Sequence, residues 1–165
     1  MESHGARVYH RAAHALQKAN PILPQDSNTR CLAAADLNAD GFPDLVCGSQ
    51  GVGSTGDLLE YFRNSSGTLP VPMVLNSTQS ATDLAIVDID NDGNLDIITA
   101  GSFTRAHAIY LGDGAGAFRR ISDVTAGDLQ DTPFSVAVHD FKNDSKLEIV
   151  SPGGNNARTS IYYRR

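Results

Sequence analysis

A nine-residue pattern recurs through the chain at one spacing. Asp36-Leu-Asn-Ala-Asp-Gly-Phe-Pro-Asp44 returns as Asp88-Ile-Asp-Asn-Asp-Gly-Asn-Leu-Asp96, and in altered form as Asp140-Phe-Lys-Asn-Asp-Ser-Lys-Leu-Glu148. Each copy begins 52 residues after the one before it. An internal period near 50 residues means a small unit that stacks on copies of itself, because one unit alone cannot bury its apolar face.

The flanks repeat in phase. Leu32-Ala-Ala-Ala, Leu84-Ala-Ile-Val and Ser135-Val-Ala-Val-His139 precede the loops, and Leu45-Val-Cys-Gly, Ile97-Ile-Thr-Ala-Gly and Ile149-Val-Ser follow them. A third stretch ends in tyrosine: Leu58-Leu-Glu-Tyr61, Ala108-Ile-Tyr110 and Ser160-Ile-Tyr162. Runs of this length and composition are strands, not helices. Asn64-Ser-Ser-Gly-Thr-Leu69 and Asp113-Gly-Ala-Gly-Ala-Phe118 then read as tight turns, with Gly67 and Gly116 supplying positive φ. Segments around 70–74 and 119–124 read as fourth, outer strands. The expected fold is all-β, built from antiparallel four-stranded propeller blades in about three repeats of 52 residues. Residues 31–165 carry the repeats. Residues 1–30 form an N-terminal segment read as the end of a preceding blade. Arg7-Val-Tyr-His-Arg11 matches the phase of a third strand, although Arg11–Ala19 also has a short helix's composition.

Alternating oxygen ligands in a nine-residue loop suit a hard cation such as calcium, which takes six to eight oxygens. The first loop offers Asp36, Asn38, Asp40, the carbonyl of Phe42, and Asp44. The second offers Asp88, Asp90, Asp92, the carbonyl of Asn94, and Asp96. Gly41 and Gly93 permit the sharp turn. Ten of the chain's 19 acidic residues fall in the three loops, a concentration of like charge that calls for a counter-ion. Two calcium ions would take the formal charge from −6 to −2. An EF-hand is excluded: its twelfth position is Cys47 or Thr99 instead of glutamate, and strands replace its helices. A dockerin-like arrangement fails on the same missing helix. In the third loop Lys142 takes a ligand position, Ser145 replaces glycine and Glu148 replaces aspartate. That loop is expected to bind no calcium, with the lysine ammonium beside Asp140 and Asp144 in the metal's stead. The expected order of affinity is second loop, first loop, third loop.

These residues resemble the FG-GAP/VCBS type of calcium-binding β-propeller repeat, also found in integrin α-subunit heads. The resemblance rests on Asp-x-(Asp/Asn)-x-Asp-Gly-x-x-Asp between strands at Asp36–Asp44 and Asp88–Asp96, and on the turn Gly112-Asp-Gly-Ala-Gly-Ala-Phe118. The literal Phe-Gly and Gly-Ala-Pro signatures are absent, so the VCBS form is closer. The resemblance implies calcium on the loops of one face, interaction surfaces elsewhere, and an extracellular or secretory-pathway setting. It implies a non-enzymatic recognition or adhesion module for a protein or glycan ligand. The alternatives are part of a polysaccharide lyase or lectin, with Tyr61, Tyr110 and Tyr162 stacking on sugars, or a structural subunit of a larger assembly. Propellers close with four to eight blades. Three units therefore imply a longer chain, a partner, or self-association such as two chains giving six blades.

Other signals are weaker. An excess of acidic over basic residues, 19 against 13, argues against nucleic acid. No apolar run is long enough for membrane insertion, and residues 1–30 show no signal-peptide core. Gly51-Val-Gly-Ser-Thr-Gly56 matches a dinucleotide fingerprint, but a strand follows it where a helix is required. It reads as a three-residue loop expansion. His10-Arg-Ala-Ala-His14 lacks the glutamate of a zinc protease. His139 reads as structural, and no catalytic constellation appears. Sequons stand at Asn64, Asn76 and Asn143. If Asp36 pairs with Asp44, Cys31 pairs with Ser49 and lies diagonal to Cys47, which favours two buried thiols over a disulfide.

Overall fold

The computed structural model describes residues 9–12, 15–18, 28–49, 56, 58–63, 72–76, 80–101, 106–125, 134–152 and 160–163. Among them every regular element is a strand. Strands β1 (Tyr9–Ala12) and β2 (Ala15–Lys18) pair as a hairpin. Residues 11–12 and 15–18, part of the stretch with a helix's composition, are strand instead, because their backbone hydrogen bonds run across the pair. The first full sheet holds β3 (Thr29–Ala35), β4 (Asp44–Ser49), β5 (Leu58–Tyr61) and β6 (Met73–Asn76) in sequence order. The second holds β7 (Asp83–Val87), β8 (Asp96–Gly101), β9 (Ala106–Gly112) and β10 (Phe118–Thr125). The third contains β11 (Ala137–His139), β12 (Glu148–Ser151) and β13 (Ser160–Tyr163). Neighbours in all of them are antiparallel.

The repeat shows in the register. Leu45 pairs with Tyr61, Ile97 with Tyr110 and Ile149 with Tyr162, so the three tyrosines occupy one position. The extra residues between β4 and β5 are absorbed before the tyrosine is reached. The expected pairing of Asp36 with Asp44 is one residue off: Ala35 faces Asp44. That register sets Cys31 opposite Gly48 and Cys47 opposite Leu32, and a bulge follows between Thr29 and Cys31. Cross-strand partners share a face, so the two cysteines lie on opposite faces and remain free thiols. Burial pushes each thiol up to about 12. Cys47 is buried and Cys31 half-buried.

The sheets stack through two apolar joints. Leu37, Val46 and Leu58 of the first sheet meet Leu84, Ile97, Ala108 and Tyr110 of the second. Ile98, Ala100 and Ile109, on the second sheet's other face, meet Val136 and Ile149 of the third. Successive strand residues point to opposite faces, so Ile97 serves one joint and Ile98 the other. That is why β8 is buried along its whole length. Fully burying one such side chain stabilises by about 1.5–3 kcal/mol. Polar contacts register the sheets at one repeat position. Cys31 Sγ lies 3.7 Å from the Ala81 carbonyl oxygen, and Asp83 accepts hydrogen bonds from the Ser135 hydroxyl and, at 3.0 Å, the Val136 amide. At Gly48 a Cβ would sit 2.5 Å from Cys31 Sγ and 2.6 Å from Ala81 Cβ, so only glycine admits this approach. Among the described residues no helix is long and apolar enough to cross a membrane.

Candidate metal centres

The three loops share one backbone. The fourth position is left-handed in each, with φ of 56° at Ala39, 59° at Asn91 and 55° at Asn143. So is the sixth, with 85° at Gly41, 92° at Gly93 and 64° at Ser145. Carboxylates close the turn on itself. Asp36 accepts the amides of Asp40 and Gly41 at 3.1 and 2.8 Å. Asp88 accepts those of Asp92 and Gly93 at 3.1 and 2.9 Å, and Asp140 those of Asp144 and Ser145 at 3.0 and 2.8 Å. Such side-chain-to-backbone bonds are what Asp contributes to turns. The third loop therefore keeps its shape with a serine where glycine is easier.

The last carboxylate of each loop is buried and ties the sheet together. Asp44 accepts from Leu37 N at 3.0 Å and from Arg63 N at 2.8 Å. Asp96 accepts from Ile89 N at 2.8 Å and from Gly112 N at 2.9 Å, and Glu148 from Phe141 N at 2.9 Å. Burial pushes both Asp44 and Asp96 above the ordinary carboxylate range, against the backbone amides that hold them down. Asp40 and Asp36 push Asp44 the same way, as do Asp90 and Asp92 for Asp96. A buried carboxylate beside like charges is the environment that a cation relieves.

Only the second loop brings three carboxylates together among the described residues. Oxygens of Asp88, Asp90 and Asp96 all lie within 4.8 Å of one another, close enough to hold one metal ion. Asp90 Oδ1 is buried and makes no hydrogen bond. An orphaned buried oxygen costs roughly 1–3 kcal/mol unless something binds it. Asp92 is turned away from the cluster: its oxygens take the amide of Asn94 at 2.8 Å and Asn94 Nδ2 at 3.0 Å. In the first loop the amide of Asn38 donates to Asp40 at 3.1 Å and its oxygen accepts from Asp40 N at 3.1 Å. Phe42 N donates to Asp40 Oδ1 at 2.8 Å, and the Phe42 ring lies beneath the Arg63 guanidinium, 5.6 Å away. In the third loop Lys142 Nζ sits 3.4 Å from Glu148 Oε1. The tethered cation thus contacts the closing carboxylate of its own loop.

Sequence reasoning also missed how the β9–β10 turn meets the loops. Gly114 and Gly116 have φ of 71° and 90°. A Cβ on Gly114 would meet Asn94 Oδ1 at 2.3 Å, and one on Gly116 would meet Phe62 at 2.7 Å and Asn38 Cβ at 3.5 Å. The turn therefore touches the second loop of its own sheet and the first loop of the sheet before. Asp113 holds it by accepting Ala115 N at 2.8 Å and Ala117 N at 2.9 Å, and those amides keep its carboxyl below the usual range. The glycine-rich turn was visible in sequence; its seat between two loops was not.

The remaining motifs separate cleanly. Tyr110 is buried in the first joint and presents no ring to a sugar. The side chains of Tyr61 and Tyr162 lie outside the described residues, as do residues 51–55, 64–66, 77–78 and His14. Strand β5 follows the glycine stretch, so no helix N-terminus is offered to a pyrophosphate. His10 lies on strand β1, not on a zinc-binding helix. Asn143 is exposed at the loop tip.

No curated protein matches the chain. The sequence model of the FG-GAP-like repeat matches twice, over residues 36–99 and 88–151, each match running from the start of one aspartate loop through the strand that follows the next. Its boundaries coincide with the 52-residue period, its two copies span the stacked sheets, and together they take in more than half of the sequence: the chain belongs to the FG-GAP-like repeat family, a propeller-type module.

Proposed function

We propose that this chain is a non-enzymatic, calcium-stabilised recognition module of the extracellular space, presenting its propeller-type surface to a protein or glycan ligand. The observation that carries the reading is the buried, unpartnered Asp90 Oδ1 among Asp88, Asp90 and Asp96. In the second loop those three residues would hold the ion; in the first, Asp36, Asn38, Asp40 and Asp44 would, more weakly. Calcium would supply charge neutralisation and a cross-link between the loop and its buried closing carboxylate. Few-carboxylate, solvent-facing loops bind calcium in the range of extracellular modules, about 10⁻⁴–10⁻³ M. That range supports an extracellular setting, where the ion is abundant.

The test is native mass spectrometry and titration calorimetry, with and without a chelator, on the native chain and on Asp90→Asn. Two ions per native chain are expected, the tighter one lost in Asp90→Asn. Since Asp90 Oδ1 accepts no internal hydrogen bond, the chelated variant should melt at or above the temperature of the chelated native protein. Calcium at a hundred times the second loop's dissociation constant should add about 2.7 kcal/mol through that loop in the native chain, an increment missing from Asp90→Asn. No calcium at millimolar supply would end the metal reading. A catalytic activity abolished by replacing one polar residue outside the loops would end the non-enzymatic one.

A further inference from the structure

Two faces depart from the burial that the repeat imposes elsewhere. Leu32, Leu84 and Val136 occupy one repeat position, turned toward the preceding sheet. Leu84 and Val136 are each 8% exposed inside a joint, yet Leu32 is 54% exposed. Ala34 is exposed as well, whereas its counterpart Ile86 packs against the first joint. On the opposite side, Leu37, Ile89 and Phe141 share a position turned toward the following sheet. Leu37 is 2% exposed and Ile89 packs against the second joint, yet Phe141 is 51% exposed. Val46 and Ile98 are fully buried, while their counterpart Val150 is only half-buried. His139 and Ala137 are exposed where Val87 and Ala85 pack against the second joint. The His139 and Phe141 rings stand edge to face, centroids 5.5 Å apart.

We propose that the open face of the third sheet receives the open face of the first sheet from a second copy of this chain, head to tail. The occupant follows from the two joints already present. Both are made by these same positions, so among the described residues one half of each kind is unmatched. Leu32, Ala34 and Leu45 form the incoming half, and Ala137, His139, Phe141 and Val150 the outgoing half. The named outgoing residues include no carboxylate, ammonium or guanidinium; the incoming face also carries Arg30, exposed on the same side of β3 as Leu32 and Ala34. An interface between two different faces is heterologous, and copies joined this way close into a ring or extend as a filament.

Sedimentation of the full chain tests this, with Leu32→Asp and Phe141→Asp as partners. Both side chains are half-exposed, and circular dichroism confirms that each variant keeps its strands. The native chain should sediment at twice the 17.5 kDa protomer mass or more. Each variant alone should fall to the protomer mass. Mixed together, Leu32→Asp supplies an intact outgoing face and Phe141→Asp an intact incoming face, so a one-to-one dimer should form and grow no further. Ile121→Asp, at an exposed site on β10 of the second sheet, whose two faces are already stacked, should assemble like the native chain. A native chain that stays monomeric at the highest attainable concentration overturns the proposal. So does an oligomer indifferent to both substitutions, or a mixture that remains monomeric.

Discussion

Ser145 stands at φ 64° in the position where Gly41 and Gly93 stand at 85° and 92°. For an L-residue the left-handed region costs about 1–2 kcal/mol, which glycine escapes. Ser145→Gly should therefore raise stability, by about 0.5–1 kcal/mol once the greater freedom of unfolded glycine is set against the relief. Gly93→Ala is its mirror. No atom lies within 4 Å of where the new Cβ would stand, so the loss is purely conformational, about 0.5–1 kcal/mol once the lesser freedom of unfolded alanine is set against the strain. Denaturant midpoints of the two variants, measured in chelator, check both signs. Equal shifts in one direction would mean that contacts, not backbone, set these positions. At this scale the sequence was legible in part. The spacing of Asp88, Asp90, Asp92 and Asp96 announces a cation loop, but a tally of carboxylates treats every oxygen as available. The structure spends those of Asp92 on Asn94 and leaves one of Asp90 unspent. Likewise the 3.4 Å contact of Lys142 with the buried Glu148 emerges only once the loop is folded.

Strand β9 carries a fully buried histidine. His107 Nδ1 lies 3.2 Å from the carbonyl oxygen of Thr99, which can only accept, so Nδ1 carries the proton. Burial lowers the ring's affinity for a second proton below the ordinary value of 6.5, with the Thr99 carbonyl opposing. The unfolded chain takes up that proton as pH falls through about 6.5, and the folded chain resists. Stability is thus full above that pH and declines below it, at a limiting slope of about 1.4 kcal/mol per pH unit. Thermal melts at neutral and mildly acid pH should show the decline in the native chain and lose that component in His107→Gln. A slope unchanged by the substitution would place its origin in other groups. Element boundaries were mostly readable, since β-branched runs and the three aligned tyrosines mark the strands. The one-residue shift of β3 against β4, already present where Ala35 faces Asp44, was not, because the aspartate pattern of the loop does not say which residues pair across its base.

Among the described residues, the three larger sheets meet their neighbours through two apolar joints, so stability is close to a sum of sheet and joint contributions. Ile98→Ala empties a fully buried site in the second joint and should cost roughly 2–5 kcal/mol. Native-state hydrogen exchange should then show faster exchange in β11–β13 with β3–β6 little changed. Uniform loss of protection would mean that the stack unfolds as one unit. The period of 52 residues made the stacking legible, because equivalent positions recur in phase. Which faces stay open was not, since an apolar residue reads the same whether or not a neighbour covers it. One further consequence follows from the three loops. They hold the same left-handed residues and the same carboxylate-to-amide bonds, although only one gathers three carboxylates and another carries a lysine. Loop shape is therefore inherited separately from ligand set. A lineage built on this repeat can gain or lose an ion by changing one side chain, while the hairpin beneath it, and every strand hung from that hairpin, descends unaltered.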